Sequence, residues 1–242
     1  MNTRTKLIWF RLLDFKGLKN IKSISLIELL ICIMVLATMV LSFHSLETYG
    51  HTQVMSADRR TKVQNSLAYC LEHMSKYVQQ ANGNKNSPPI KLYPDVAPYT
   101  GFQVRFDCGA QWVTGNPLTP QTSSDLSDDV WIYYTLNSAT HELSAGCSGA
   151  NCGKCSPEHS VPATPEILSK KIVANFNNSV LPVSPADGFY AVVNADPLVG
   201  NFVDVGLVGR YYPDQPSTAA TRSTNPQVAI KTRLNCSNSS TN

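Results

Sequence analysis

Residues 24–43 read ISLIELLICIMVLATMVLSF, and the only formal charge in this stretch is on Glu28. A run of about 20 predominantly apolar residues is long enough to cross a bilayer as one helix. A carboxylate within such a run costs roughly 2.5–3.5 kcal/mol at the centre of the bilayer and less near its edge, and acids in this position are usually functional. We therefore expect a membrane helix in which Glu28 is a functional residue.

The residues that precede this stretch are basic. Residues 1–23 contain six Lys and Arg residues and one acid, so the net charge of +3 over the 242 residues comes from the N-terminus. An excess of basic residues beside a membrane helix holds that end in the cytoplasm. We expect the rest of the chain to be extracytoplasmic. No basic run follows residue 23, and we infer no nucleic-acid partner.

The start of the apolar stretch carries a recognisable motif. In SISLIE, residues 23–28, a small residue is followed by an apolar residue, a hydroxyl residue, Leu-Ile and Glu28. This order, behind a basic leader, resembles the N-terminus of type IV pilins and type II secretion pseudopilins. The chain has Ser23 where that family usually has Gly, and Ile24 where it usually has Phe.

The resemblance implies a processing and assembly pathway. Prepilin peptidase would cut between Ser23 and Ile24, the amine of Ile24 would be methylated, and Glu28 would become the fifth residue of the mature chain. Glu28 would then pair with the Ile24 amine of a neighbouring subunit. Such a pair would fix the register between subunits, because an unpaired carboxylate is costly in a low-dielectric environment. The expected partners are prepilin peptidase, other pilin or pseudopilin subunits, and inner-membrane lipid.

Three other kinds of protein share parts of this N-terminus. A secretory signal peptide also has a basic start and an apolar core, but Ala37-Thr38-Met39 is a poor small-x-small cleavage site. A plain single-pass anchor explains the apolar run but not the motif that ends in Glu28. A buried core helix is seldom apolar over about 20 residues. The motif therefore favours the pilin-like interpretation.

The apolar stretch continues into an amphipathic segment. No proline occurs between Ile24 and Gly83, so we expect one helix that ends at Asn82-Gly83, where glycine supplies a left-handed cap. Its first half, 24–52, would lie in lipid or a filament core. In its second half, 53–82, apolar residues recur at spacings of three and four, which predicts one buried face. The residues of this face are Val63, Leu67, Cys70, Leu71, Met74 and Val78.

The remainder, residues 83–242, is predicted to be an extracytoplasmic β-rich domain, so the fold class is α+β: a long N-terminal helix packed on a small antiparallel sheet domain. The order of elements resembles the J-type minor pseudopilins and related minor pilins. Segments 109–129 and 212–226 are predicted to be long exposed loops, and Ile167–Phe176 fits either a strand or a short helix. The predicted strands are Phe102–Asp107, Val130–Leu136, Glu142–Ser144, Phe189–Val193, Phe202–Val208 and Gln227–Leu234.

Cysteines after the apolar stretch are candidates for disulfides, because an extracytoplasmic compartment is oxidising. Cys147, Cys152 and Cys155 are closely spaced. Two kinds of metal site are alternatives to a disulfide there: an iron–sulfur cluster completed by Cys236, or a zinc site completed by His159. We favour a disulfide between two of the three. The six candidates are Cys70, Cys108, Cys147, Cys152, Cys155 and Cys236.

No catalytic motif stands out. The sequence lacks a Gly-x-Ser-x-Gly elbow, a His-Glu-x-x-His pair and a phosphate-binding glycine loop. Asp125, Asp128 and Asp129 lack the glycine-centred loop of a calcium site, so we interpret them as a solvated acidic loop. We expect a structural subunit rather than an enzyme, with no cofactor and no small-molecule substrate. An anchored binding module, such as a tip adhesin that uses the long loops, is the alternative, and an anchored enzyme is a further one.

Overall fold

The computed structural model describes residues 25–83, 87–107, 129–149, 152, 164–173, 176–177, 188–194, 201–236 and 238–239. The chain divides into two compact units, Met1–His51 and Thr52–Asn242. The helix α1 (Leu26–Gln79) begins in the first unit and ends in the second. The described strands, all in the second unit, are β1 (Asn82–Gly83), β2 (Ile90–Tyr93), β3 (Gly101–Asp107), β4 (Asp129–Asn137), β5 (Glu142–Ser148), β6 (Glu166–Ser169), β7 (Phe176–Asn177), β8 (Phe189–Asn194), β9 (Phe202–Arg210), β10 (Gln227–Asn235) and β11 (Asn238–Ser239).

In the first unit, the described residues form the apolar half of α1. Every residue from 25 to 51 is exposed, including large side chains such as Leu26, which is 82% exposed. The helix is long and apolar enough to cross a membrane. An apolar surface of this extent is rarely exposed to water. The first unit is therefore compatible with single-pass membrane anchoring.

In the second unit, the amphipathic half of α1 packs against the sheets. Val63, Leu67, Cys70, Met74 and Val78 are fully buried and belong to one hydrophobic core together with inward-facing strand residues. Leu71, also predicted on this face, is half-buried at the edge of the core. The predicted α+β class, with a long helix on antiparallel sheets, is therefore confirmed.

The strands form two main sheets. The order of the five-stranded sheet is β2-β3-β4-β5-β6, and its neighbouring strands are antiparallel. The order of the four-stranded sheet is β10-β9-β8-β7, antiparallel except for the short parallel pair β7–β8. In β4, Val130, Ile132, Tyr134 and Leu136 point into the core, whereas the odd-numbered residues from Asp129 to Thr135 are half-buried and Asn137 is exposed. This is the alternation that the sequence predicts.

The end of α1 differs from the prediction. The helix ends at Gln79, and Asn82-Gly83 forms strand β1, parallel to β11, instead of a left-handed cap. Glycine is needed at position 83 for a close approach, because a Cβ there would come 2.6 Å from the backbone nitrogen of Pro89.

Other predicted strand bounds also change. Strand β5 is longer than predicted and includes Cys147. The ambiguous segment 167–176 contributes most of β6, an isolated bridge between Ile172 and Gly209, and the start of β7. Strand β2 was not predicted, because four residues between prolines show no clear alternation.

Candidate functional site

Glu28 lies in the first turn of α1, where it closes a capping box. The backbone N–H of Ser25 donates to the Glu28 carboxylate at 3.0 Å, and the Ser25 hydroxyl accepts from the N–H of Ile27 at 3.3 Å. These bonds satisfy donors that a helix start leaves without a partner, and such a cap is worth about 1 kcal/mol. The negative charge also complements the helix dipole. The spacing Ser-x-x-Glu could have revealed this local role from the sequence.

The other residues of the predicted N-terminal site, Ser23 and Ile24, lie outside the described residues. The Glu28 carboxylate itself is exposed. It has a second oxygen for which no bond is recorded among the described residues. A cationic group that approaches the start of α1 would therefore find an accessible acid that is already held in place.

The predicted disulfide loop follows β5. Cys147 and Cys152 are bonded to each other, five residues apart in the chain. The turn between them uses Gly149 at a φ of 120°, a conformation that glycine adopts without strain. The N–H of Cys152 donates to the carbonyl of Gly149 at 3.3 Å. A disulfide in this loop is thus confirmed.

This bond removes two of the thiols that the zinc and iron–sulfur interpretations require. Cys108, Cys155 and His159 lie outside the described residues. Among the residues that are described, no group of three His, Cys, Asp or Glu side chains is placed to hold a metal ion.

Two other disulfide candidates, Cys70 and Cys236, are free thiols, and the prediction is wrong for them. Cys70 lies on the buried face of α1 and packs as a small apolar side chain. Cys236 follows β10, where its N–H donates to the carbonyl of Asn201 at 3.0 Å. Burial raises the pKa of each thiol to about 12, so both are unreactive at neutral pH.

One acid of the predicted acidic loop, Asp129, has a structural role instead. It is the first residue of β4, its side chain is 3% exposed, and it lies 3.6 Å from the guanidinium of Arg105 in β3. Burial lowers the pKa of Arg105, and the charge of Asp129 opposes that shift. Asp125 and Asp128 lie outside the described residues.

The segment 212–226, predicted as an exposed loop, is held together by a buried side chain. Asn225 is 1% exposed. Its side-chain amide donates to the carbonyls of Tyr212 and Gln215 at 3.1 and 3.0 Å, and its side-chain oxygen accepts from the N–H of Tyr212 at 2.8 Å. Backbone bonds from Thr224 and Asn225 to the Thr221 carbonyl close a turn. We call this segment the Asn225 loop.

Two contacts attach the Asn225 loop to its surroundings. Arg59 of α1 donates to the Thr224 carbonyl at 2.7 Å, and its guanidinium lies 5.2 Å from the centre of the Tyr211 ring. His141, in the turn between β4 and β5, places Nε2 2.8 Å from Asp214. The loop is therefore fixed to a helix on one side and to a strand turn on the other.

A cleft of about 780 Å³ opens beside this loop. Its lining includes Ser56 and Arg60 of α1, and Ser217, Arg222 and Ser223 of the Asn225 loop. No acid is among the described residues that line it. The arrangement presents two guanidinium groups and several hydroxyl groups to one space, which can attract an anion.

No protein-family model matches this chain, and neither a curated protein nor a solved structure matches it. The motif at the start of α1, the two units and the basic cleft are therefore what supports a functional proposal.

Proposed function

We propose that this protein is a minor pilin-like or pseudopilin-like structural subunit. Prepilin peptidase would cut between Ser23 and Ile24, residues 24–52 would anchor the chain in the inner membrane, and the same helix would later enter a type IV pilus or type II secretion pseudopilus. The observation that carries this proposal is α1, a single helix that begins within the SISLIE motif of the sequence, whose first half is apolar and exposed, and whose second half buries one face in an α+β unit.

The exposed half of α1 requires an apolar environment. Leu29, Leu30, Ile31 and Met39 lie on all sides of the helix at its turn of about 100° per residue, and all are at least half exposed. A stripe on one face would suit packing on a sheet, whereas an apolar surface on every side suits lipid or a bundle of similar helices. A subunit that moves from membrane to filament needs both environments in turn.

Glu28 suits that transfer. In the single chain, its carboxylate is occupied by the capping bond to Ser25. In a filament, the freed amine of Ile24 on a neighbouring subunit would supply a cation. Because the capping bond engages one carboxylate oxygen, the acid can accept a second partner without loss of the helix start.

A binding module on the same anchor is the second candidate, and the cleft beside the Asn225 loop favours it. Arginine and serine side chains line this cleft, and none of the described residues in its lining is a histidine or an acid. The cleft therefore supports binding better than catalysis, which leaves the anchored enzyme as the least supported alternative.

Processing by prepilin peptidase tests the proposal. The full-length chain is expressed with the peptidase, with an inactive peptidase, and as the variant Ser23→Asp, and the N-terminus of the membrane-extracted protein is sequenced. We expect the active peptidase to give a chain that begins at Ile24, and the other two samples to keep residues 1–23. A chain that keeps its leader with active peptidase, or that begins after residue 37, would contradict the proposal.

A further inference from the structure

The cleft beside the Asn225 loop holds two positive charges without a partner acid. Arg60 and Arg222 line it, and among the described residues neither makes an ion pair. Asp58, two residues before Arg60 in α1, pairs with Lys62 at 2.8 Å, and Asp214 of the Asn225 loop pairs with His141 at 2.8 Å. Like charges that face one space repel each other, and an anion between them would remove that repulsion.

The walls of the cleft are fixed in place. Asn225 holds its loop through bonds to Tyr212 and Gln215, and Arg59 ties the loop to α1 through the Thr224 carbonyl. Arg60 is the next residue on the same helix, whereas Arg222 lies within the loop. The backbone that carries both arginines is therefore held in place, so the loop does not have to become ordered when a ligand binds.

The chemistry of the lining points to phosphate. The planar guanidinium of arginine matches two oxygens of a phosphate group at once. Ser56, Ser217 and Ser223 can donate further bonds to the same group or to hydroxyls attached to it. A cleft of about 780 Å³ is in the size range of sites for small organic ligands. In the part of the chain that the structure describes, no aromatic ring lines the cleft, so no described side chain is placed to stack on a nucleobase.

We propose that this cleft binds a phosphate ester that carries a small hydroxylated body, such as a glycerol or sugar phosphate. The ester can come from a soluble metabolite or from the headgroup of a phospholipid, because Ser56 and Arg60 follow shortly after the expected membrane segment in the sequence. The proposal does not depend on assembly into a filament.

Titration calorimetry of the full chain in nonionic detergent, with glycerol 3-phosphate as the ligand, tests the proposal. We expect saturable one-to-one binding. The double variant Arg60→Gln plus Arg222→Gln should lower the affinity roughly tenfold or more, because it removes both charge-assisted contacts. The matched control is Lys76→Gln plus Lys231→Gln, which removes the same charge from exposed positions outside the cleft and should bind like the wild type.

A second variant keeps both arginines. Ala219→Glu places a carboxylate at an exposed position in the cleft lining, so it should also weaken glycerol 3-phosphate binding while the thermal midpoint stays unchanged. Failure of the wild type to bind, or equal weakening by the lysine control, would overturn the proposal. Repeating the titration with the chain in nanodiscs identifies the source of the ester. A weaker affinity for glycerol 3-phosphate in phosphatidylglycerol nanodiscs than in phosphatidylcholine nanodiscs indicates that the lipid headgroup competes for the cleft. An equal affinity in the two indicates a soluble ester.

Discussion

His73, on α1, is surrounded by the rings of Tyr69, Tyr77 and Tyr134, at centre distances of 6.4, 5.0 and 5.7 Å. Its Nδ1 lies 3.1 Å from the Tyr134 hydroxyl. Burial lowers the pKa of His73 below its ordinary value of 6.5, with Lys76 acting in the same direction and Glu166 against it. The neutral imidazole is therefore the form that this site favours.

This shift predicts a pH dependence of stability. Below pH 6.5, the unfolded chain binds a proton at His73 more readily than the folded chain does, so the free energy of unfolding should fall as the pH is lowered from 7.5 to 5.5. The variant His73→Gln should flatten that slope, whereas the control His51→Gln, at an exposed position, should keep it. Urea unfolding in detergent at several pH values measures the slope. Parallel slopes for the two variants would contradict the role of His73.

Asn225 offers a second test at the residue scale. Asn225→Ala removes three hydrogen bonds around a buried position and should destabilise the loop by about 1–3 kcal/mol. Limited trypsin digestion should then cut faster after Arg222. The control Asn235→Ala, at an exposed position on β10, should leave the rate unchanged. An equal rate for both variants would show that Asn225 does not hold the loop.

The cap at Glu28 and the loop contacts of Asn225 differ in how far the sequence predicts them. The Ser25–Glu28 cap is a local signature over four positions, so the sequence contains it. Asn225 acts on carbonyls 10 and 13 residues away, and nothing in the polar composition of 212–226 marks it among the other loop residues. The cleft could not be predicted either, because it requires that loop to fold back onto α1.

At the scale of helices and strands, the elements with a regular spacing of apolar residues could be predicted from the sequence. The three-and-four spacing of α1 and the alternation of β4 each identify the buried face correctly. The strands β1, β7 and β11, of two residues each, are too short to have a period, and they form because tertiary contacts place them beside a partner. The cysteine spacing predicted a bond within the loop, and the three-and-four spacing of α1 placed Cys70 on the buried face, where it is a free thiol rather than half of a disulfide.

The Cys147–Cys152 loop carries a stability prediction. A disulfide that closes so short a loop should contribute about 2 kcal/mol, by the chain-entropy model. Replacing both cysteines by alanine should lower the free energy of unfolding by that amount, whereas Cys32→Ala, at an exposed position of α1, should not. Mass spectrometry of the non-reduced chain should show the peptide linked through Cys147 and Cys152. Free thiols at both positions would contradict the structure.

The amphipathic half of α1 carries a second prediction at this scale. A fragment that begins at residue 53 keeps Val63, Leu67 and Met74, which cover the sheets, and should be a soluble monomer. A fragment that begins at residue 83 loses this cover and should aggregate, because the apolar faces of the sheets become exposed. Size-exclusion chromatography distinguishes the two. Equal solubility and equal resistance to urea would show that α1 does not stabilise the sheet unit.

At the scale of the whole molecule, the two units have different requirements. The second unit has its own hydrophobic core, whereas the described part of the first is a helix with no buried residue. The first unit therefore needs lipid or other helices, and the proposal that it exchanges one for the other is the central claim. That claim makes the charge of Glu28, rather than its cap, the property that recruits a neighbouring subunit.

The variants Glu28→Gln and Ser25→Ala separate these two properties. Glutamine can retain the capping bond while it removes the charge, and alanine at position 25 removes the bond to Ile27 while it keeps the charge. Both variants should still insert into the membrane, since neither adds a charge to the apolar helix.

The most direct measurement is site-specific crosslinking between neighbouring subunits in membranes that contain the assembly machinery, with a photo-crosslinker at Leu36. We expect the wild type and Ser25→Ala to crosslink, and Glu28→Gln and Glu28→Ala to lose most of the crosslinked product. Undiminished crosslinking by Glu28→Gln would contradict the account, because it would show that Glu28 serves this helix only as a cap.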